Sequence, residues 1–345
     1  MNLKERFLLA YPGAQFLERD VATMEAYLHR QGWLPATARL LHLEKPGEGN
    51  MNCVLRAVTT AGSLILKQAR PWVEKYPQYA APVERIGVEA QFLRTAGGIP
   101  GIGRYLPRVR AFDKNSRLLA LEDLGSGADY TFLYQKGAQI DPGELAQLVD
   151  FLSILHAWQP DPADAPFPEN LQMRRDLNQV HLFYFPFQAN NGLDLDAIQP
   201  GLKAAAEVYV QDAAVKGKIA ALAERYVSPG PCLLQGDFYP GSWLKTPDGP
   251  RVIDPEFSFM GPPEFELGVM LAHMHLAEQG ASTVETILAR YRRPAGFDEG
   301  LMEAFAGVEI LRRLIGVAQL PVALSLTEKV RLMDRAAGWI RRREC

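Results

Sequence analysis

A chain of 345 residues exceeds the roughly 250–300 residues over which one hydrophobic core usually extends, so we expect two lobes. Its 37 Lys and Arg residues against 40 Asp and Glu residues give a net charge of −3, which argues against a general binder of nucleic acids or anionic membranes, because either needs a basic surplus. Three widely spaced cysteines, no apolar N-terminal leader and no apolar run near about 18 residues predict a soluble cytoplasmic protein without a zinc site or a disulfide framework.

The first part of the chain predicts a small antiparallel sheet with two helices. Residues 20–31 form a predicted helix that Asp20 can cap. From residue 40 the sequence reads as three strands separated by glycine-rich turns. Residues 83–96 predict a helix that stops at a Gly-Gly pair, and two more strands follow.

After Gly125 the chain becomes mainly helical, with one short strand–loop–strand insertion at residues 231–257. The predicted helices cover 142–158, 171–184, 198–209, 211–227, 264–279, 282–292, 299–318 and 325–343. We therefore expect an α+β protein with a sheet-containing N-terminal lobe, residues 1–122, and a larger helical C-terminal lobe, residues 123–345. Small ligands commonly bind in the cleft of such a protein.

The predicted insertion, PCLLQGDFYPGSWLKTPDGPRVIDPEF, places carboxylates after each of two apolar runs. Residues two apart in a strand point to the same side, so Asp254 and Glu256 can aim at one point, where their repulsion favours a bound cation such as Mg²⁺. Ser242 can add a neutral oxygen there. Asp237 follows a glycine in a sharply bent loop and can accept a proton from a hydroxyl. Together these residues describe phosphoryl transfer, although each acid alone is also typical of a solvated turn.

Two features of the first lobe would serve a nucleotide. Lys67 lies in an apolar predicted strand, SLILKQA, and with Glu89 on the following helix it would form the Lys–Glu pair that holds ATP phosphates in kinase-like sites. The alternative makes Lys67 a charge on an edge strand that discourages aggregation. Gly47, Gly49 and Asn50 belong to a turn, GEGNMN, whose backbone N–H groups can cover phosphates, and which is otherwise an ordinary hairpin turn.

The glycine turn, the strand lysine, the helix glutamate and the acidic loops occur in the order in which a kinase has them. On these motifs the chain resembles the aminoglycoside phosphotransferase/choline kinase superfamily and, within it, the 5-methylthioribose kinases. The motifs that carry the resemblance are GEGNMN, LKQA, QGDFYPGS, VIDPEF and GVEILRRLIGVAQ, between residues 45 and 320.

The resemblance implies a bilobal protein-kinase-like fold and an enzyme that transfers the γ-phosphoryl group of ATP, with Mg²⁺, to a hydroxyl of a small polar metabolite such as a methylthioribose-like sugar. It implies that Asp237 is the catalytic base and that Arg312 and Arg313 face the substrate and the transferring group. It also implies three binding sets: backbone groups of Glu122 to Leu124 at adenine; Lys67, Glu89, Gly47, Gly49 and Asn50 at the phosphates; Asp254, Glu256 and Ser242 at Mg²⁺.

Departures from the family pattern leave alternatives open. Gln235 stands where the family has His before Gly-Asp, so a catalytically silent nucleotide-binding protein is one alternative, although Gln can also support the loop by hydrogen bonding. Glu266 stands where relatives often have Asp. Arg312 and Arg313 follow Glu309 by three and four residues, which is the spacing of ion pairs within a helix.

The acceptor is also open. An aminoglycoside, choline or another amino alcohol would favour an aromatic wall, which Tyr239, Trp243, Phe257 and Phe259 would provide if they are not simply core residues. The oligomeric state is undetermined, with a homodimer as one option.

Overall fold

A computed structural model describes residues 1–47, 49, 51–163 and 165–343. The chain divides into two compact units: residues 1–127 with 251–257, and residues 128–250 with 258–345. The lobe boundary between residues 122 and 123 stays a prediction. Within the described ranges, none of the helices is long and apolar enough to span a membrane.

The first unit is built on a five-stranded antiparallel sheet. Its strands are β1 Leu40–Glu44, β2 Cys53–Thr59, β3 Gly62–Gln68, β4 Val109–Asp113 and β5 Leu118–Glu122, and its helices are α1 Leu3–Ala10, α2 Val21–Arg30 and α3 Arg85–Gly97. The strand order is β1-β2-β3-β5-β4, so β3 lies in the middle and pairs with β2 and β5.

The two N-terminal helices begin at capping residues. Asp20 accepts a hydrogen bond from the Thr23 backbone N–H at 2.6 Å and so starts α2, as predicted. Helix α1 was not predicted, because it is only eight residues long. It is held by a capping box between Asn2 and Glu5, and it buries Phe7.

Helices make up most of the second unit. They are α4 Pro142–Ala157, α5 Leu171–Met173, α6 Leu195–Ile198, α7 Leu202–Gln211, α8 Ala213–Val227, α9 Pro263–Leu276, α10 Ala281–Arg290, α11 Glu299–Ile315 and α12 Leu326–Arg342. A π-helical segment, Arg174–Tyr184, continues α5 within the predicted helix 171–184.

Helices α9 and α11 form the buried centre of the second unit. Every residue of α9 from 263 to 274 and of α11 from 304 to 315 is buried, including the charged side chains among them. Two glycines allow the close packing. A Cβ on Gly268 would lie 2.7 Å from the Met302 carbonyl oxygen of α11, and a Cβ on Gly307 would lie 2.6 Å from the Ala336 carbonyl oxygen of α12. Substituting either glycine would push neighbouring helices apart.

The insertion differs from the single strand pair that we predicted. Residues 231–261 contain four short strands in two sheets: β6 Cys232–Leu234 with β9 Phe259–Gly261, and β7 Trp243–Thr246 with β8 Gly249–Val252. Strand β8 ends before Asp254, which has a left-handed φ of 57°, and Pro255–Phe257 form a 3₁₀ turn. The strand geometry assumed for Asp254 and Glu256 is therefore wrong, because Asp254 has a left-handed backbone conformation and Glu256 lies in the 3₁₀ turn.

Candidate active site

Lys67 is the centre of a buried ion cluster in the first unit. Its side chain is 4% exposed, and its Nζ lies 2.8 Å from Glu89 Oε2 and 2.8 Å from Asp254 Oδ1. The edge-strand alternative is wrong, because β3 has a paired strand on each side, with Val54 and Leu119 opposite Lys67. A lysine in the middle of a sheet needs charged partners, and the cluster supplies them.

The charges of this cluster favour cation binding. Burial lowers the pKa of Lys67, but the nearby Asp254 and Glu89 carboxylates outweigh that effect and leave it raised, so Lys67 stays protonated. Burial raises the pKa of Glu256, and Lys67 and Arg85 partly oppose the shift. Burial also raises the pKa of Glu89, so three carboxylates lie beside two cations, and a further cation would favour their ionised forms.

Arg85 is a candidate site residue that no sequence motif indicated. It is fully buried at the start of α3, and its Nε lies 3.0 Å from Asn52 Oδ1 and 3.1 Å from Glu256 Oε2. Its Nη2 donates to the Met51 carbonyl oxygen at 3.1 Å. Asn52 Nδ2 also donates to Glu256 Oε2, at 3.0 Å. Arg85 thus joins the end of the glycine turn to the acidic turn, and only tertiary structure shows this pairing.

The glycine turn is described in part. Gly47 and Gly49 precede β2, whereas Glu48 and the predicted phosphate-binding residue Asn50 lie outside the described residues. A Cβ on Gly49 would lie 3.4 Å from the Asn52 carbonyl oxygen, so the backbone passes close to itself here. The role of this turn at phosphates stays a prediction.

The predicted adenine segment begins at Glu122, the last residue of β5. The Glu122 backbone N–H donates to the Arg108 carbonyl oxygen at 2.9 Å. Asp123 accepts from Arg56 Nε at 2.8 Å and from the Gly125 backbone N–H at 3.0 Å. These contacts hold the segment that ends at Leu124 against β2, the neighbour of the lysine strand, and its contact with adenine stays a prediction.

In the second unit, Asp237 sits in a tightly held loop. Gly236 has a φ of 90°, a conformation that favours glycine, and its N–H donates to Glu266 Oε1 at 2.7 Å. Glu266 also accepts from the Gln235 N–H and contacts His156 at 2.9 Å. The Gln235 side-chain oxygen accepts from the Asp237 N–H at 2.7 Å. Gln235 therefore supports the loop by hydrogen bonding, as expected of it.

Both predicted arginines lie on α11 next to Glu309. Arg312 Nε donates to Glu309 Oε2 at 2.5 Å, and Arg313 Nε donates to Glu309 Oε1 at 2.8 Å, so both helix ion pairs form. Arg313 also reaches Asp237, with 3.8 Å between Nη2 and Oδ1, and its guanidinium lies 4.6 Å from the centre of the Tyr239 ring. The structure thus groups Asp237 with Arg313, and groups Lys67 with the other predicted carboxylates.

The predicted serine ligand and the predicted aromatic wall residues differ in how deeply they are buried. Ser242 is buried in the second unit, and its backbone N–H donates to the Tyr239 carbonyl oxygen at 2.8 Å. Trp243 and Phe259 are fully buried and belong to the core, which weakens the case for an aromatic wall. Phe257 is half-buried.

The carboxylates of the first unit fit a divalent cation of the magnesium type. Among the described residues, no group of three His, Cys, Asp or Glu side chains has the arrangement of a protein-only metal site. Mg²⁺ usually takes only one or two protein carboxylates and completes its shell with water and phosphate oxygens. Asp254 suits this, since its side chain is 50% exposed, while Glu256 is oriented by Arg85 and Asn52.

Comparison with known proteins places the chain in a family. The sequence profile of the phosphotransferase enzyme family, APH, matches residues 42–305. The chain belongs to this family. Methylthioribose kinase 1 of Oryza sativa subsp. japonica is 29% identical over 283 residues, which cover 76% of this chain and 63% of that protein. The match thus spans less than two thirds of the rice protein. Methylthioribose kinase of Exiguobacterium sibiricum is 26% identical over 321 residues, 80% of this chain and 79% of that protein.

Solved structures of other proteins share the fold. The ternary complex of APH(2'')-IIa with streptomycin and ATP has a TM-score of 0.52 at 13% identity, and covers 94% of this chain and 99% of that one. ADP-bound aminoglycoside phosphotransferase APH(2'')-Ib has a TM-score of 0.50 at 14% identity, with 92% and 99% covered. The predicted α+β, protein-kinase-like fold, with an antiparallel sheet in the first part and a mainly helical remainder, is confirmed.

Proposed function

We propose that the chain is an ATP-dependent small-molecule kinase that transfers the γ-phosphoryl group of ATP to a hydroxyl of a small polar metabolite, in the first instance a methylthioribose-like sugar. The observation that carries the proposal is the buried Lys67 held between Glu89 and Asp254, in a member of the phosphotransferase family. The names of the relatives, methylthioribose kinases, support the choice of acceptor.

Residues of the first unit would bind the nucleotide. Lys67 would hold the phosphates, with the turn of Gly47, Gly49 and Asn50 covering them and the backbone of Glu122 to Leu124 meeting the adenine. Asp254 and Glu256 would hold Mg²⁺, to which Ser242 is a further candidate oxygen donor. When bound, the ion neutralises phosphate charge. The ion pair with Glu89 fixes Lys67 before the nucleotide arrives, so little side-chain entropy is lost on binding.

Residues of the second unit would act on the acceptor. Asp237 would orient the hydroxyl and take its proton while the new oxygen–phosphorus bond forms and the bond to ADP breaks. Arg313, beside Asp237, would stabilise the negative charge that develops during transfer. Positioning and charge stabilisation supply most of the acceleration in such reactions. The free thiols of Cys53 and Cys232 fit our further proposal that the enzyme works in the reducing cytoplasm.

Asp237→Asn tests the catalytic assignment. We expect turnover to fall by about 10²–10⁴-fold, because the hydroxyl proton loses its acceptor. Affinity for ATP should change little, since the proposed nucleotide residues lie in the other unit. Initial rates and equilibrium binding of a fluorescent ATP analogue measure the two quantities.

Asp248→Asn is the matched control, since this exposed acid lies in a turn of the same insertion. It should turn over like the wild type. Undiminished turnover in the Asp237 variant would refute the role of Asp237.

An acceptor panel separates the proposal from its two alternatives. Methylthioribose, choline and aminoglycosides are each offered with ATP and Mg²⁺, and ADP release is followed. Turnover with the sugar would support the proposal. Turnover only with an amino alcohol or an aminoglycoside would show that the enzyme acts on that class of acceptor instead. Nucleotide binding without turnover on any acceptor would show a silent nucleotide-binding protein.

A further inference from the structure

A chain of buried polar side chains leads from Tyr134 to Arg313 in the second unit. The Tyr134 hydroxyl lies 2.6 Å from His273 Nδ1, and His273 Nε2 lies 2.9 Å from Glu309 Oε1. The same carboxylate oxygen accepts from Arg313 Nε at 2.8 Å. His273 is completely buried, and Tyr134 and Glu309 are each 2% exposed. The proposed reaction does not use His273, so its position among these hydrogen-bonded side chains needs an explanation.

The charges around His273 determine the direction of each hydrogen bond. Burial raises the pKa of Glu309, but Arg312 and Arg313 outweigh that effect and hold it well below its usual range, so this carboxylate can only accept. The proton of neutral His273 must therefore be on Nε2, and Nδ1 accepts from Tyr134. The charged groups that face the ring are Glu309, Arg312 and Arg313, all on α11. The ring of Tyr239, 4.9 Å away, packs against it.

This arrangement restricts the guanidinium of Arg313. Glu309 takes hydrogen bonds from His273, Arg312 and Arg313, so its position is fixed from three sides. Because Arg313 uses Nε for Glu309, its outer nitrogens remain for other partners, and Nη2 is the atom that reaches Asp237. A rotation of the Glu309 side chain would therefore move the Arg313 guanidinium away from Asp237.

We infer that His273 is a positioning residue, which holds Glu309 through its Nε2–H and thereby keeps the Arg313 guanidinium beside Asp237. The inference rests on the proposed function, in which Arg313 stabilises charge during phosphoryl transfer. His273 itself touches neither substrate nor metal in this scheme. Its effect should appear in kcat rather than in the KM for ATP.

Two substitutions at His273 separate hydrogen bonding from packing. His273→Leu fills the space without a donor, and we expect kcat with methylthioribose to fall by about 10–100-fold while the KM for ATP stays within about two-fold. His273→Gln can place an N–H near the original Nε2, and it should recover most of the lost kcat. Equal kcat values for the leucine and wild-type enzymes, or a glutamine variant as impaired as the leucine variant at equal thermal stability, would overturn the inference.

His275→Leu is the matched control on the same helix. The His275 ring packs against Trp339 with 5.3 Å between ring centres, away from Glu309. Its loss should lower thermal stability and leave kcat unchanged. A similar fall in kcat in this variant would show a general packing effect and overturn the specific role of His273.

A spectroscopic measurement tests the inference without activity. Nitrogen-15 shifts of the histidine rings in the full chain should show His273 protonated at Nε2 alone, and unchanged between pH 8 and about 5.5. A proton on Nδ1, or a doubly protonated ring in this range, would contradict the assigned hydrogen bonds. If the wild type turns over no acceptor, the proposed function fails, and these shifts still decide the geometry.

Discussion

Arg85 is the residue whose position most needs explanation at the scale of single side chains. A cation at the first position of a helix is unfavourable, because the helix dipole is positive there. The structure offsets this with Glu256, Asn52 and several backbone carbonyls, among them Arg70 O at 2.9 Å and Pro82 O at 2.7 Å. An arginine suits this site better than a lysine, since the N–H groups of its guanidinium can donate to several acceptors at once.

Arg85→Met should lower the free energy of unfolding by about 3–5 kcal/mol, because it removes the cation that directly contacts the buried Glu256 carboxylate. Urea denaturation measures the loss. Arg70→Met is the matched control: Arg70 is also buried in the first unit, but its acidic partner Glu74 is half-buried, and we expect less than half of the effect. Equal losses would mean that the contact with Glu256 contributes nothing particular.

At the scale of elements, the loop from Gln235 to Asp237 depends on backbone conformation. It leaves β6 through the left-handed Gly236, and Glu266, near the start of α9, accepts from two of its backbone N–H groups. Helix α9 and strand β6 therefore position Asp237 together. A substitution that changes only the backbone preference tests this dependence directly.

Gly236→Ala should destabilise the protein by about 1–3 kcal/mol, since alanine is strained at a φ of 90°. Gly217→Ala on the exposed face of α8 is the control, and its effect should have the opposite sign, because a Cβ there meets nothing within 4 Å. That change should stabilise by about 0.5–1 kcal/mol, as expected for glycine in a helix. Denaturant midpoints compare the two variants, and an unaltered midpoint for Gly236→Ala would exclude backbone strain.

At the scale of the whole molecule, buried neutral histidines make stability depend on pH. Burial is the main cause that lowers the pKa of His273 to about 4, and burial together with Arg335 lowers the pKa of His275 to about 4. The unfolded chain takes up these protons near pH 6.5, whereas the folded chain does not until about pH 4. Between these values the unfolded state binds more protons, so stability falls as the pH falls.

Each of these histidines should contribute a loss of up to about 1.4 kcal/mol per pH unit between pH 6.5 and about pH 4. Urea denaturation of the wild type and His275→Gln at pH 7.5 and 5.5 measures the contribution of one of them. The variant should lose less stability on acidification than the wild type. The same loss in both proteins would show that His275 titrates normally in the folded state.

The amino-acid sequence was enough to predict the fold and to name most of the candidate site residues. Three features of the sequence are unusual in combination and order: an apolar strand with one lysine, acids that follow two apolar runs, and a double arginine. Together they predicted the kinase-like fold and the main candidate site residues. Local signals were sufficient for α2 and for the sheet of the first unit, because capping residues and glycine turns act over a few residues.

The partners that hold those residues became apparent from the folded structure. Asp254 has a left-handed backbone conformation and Glu256 lies in the 3₁₀ turn that follows, which strand periodicity could not show. Arg85 and His273 were missed because their partners, Glu256 and Glu309, are far away in sequence. A buried charge or ring nitrogen must find a partner wherever the fold brings one, and that choice depends on packing over the whole unit rather than on neighbouring residues.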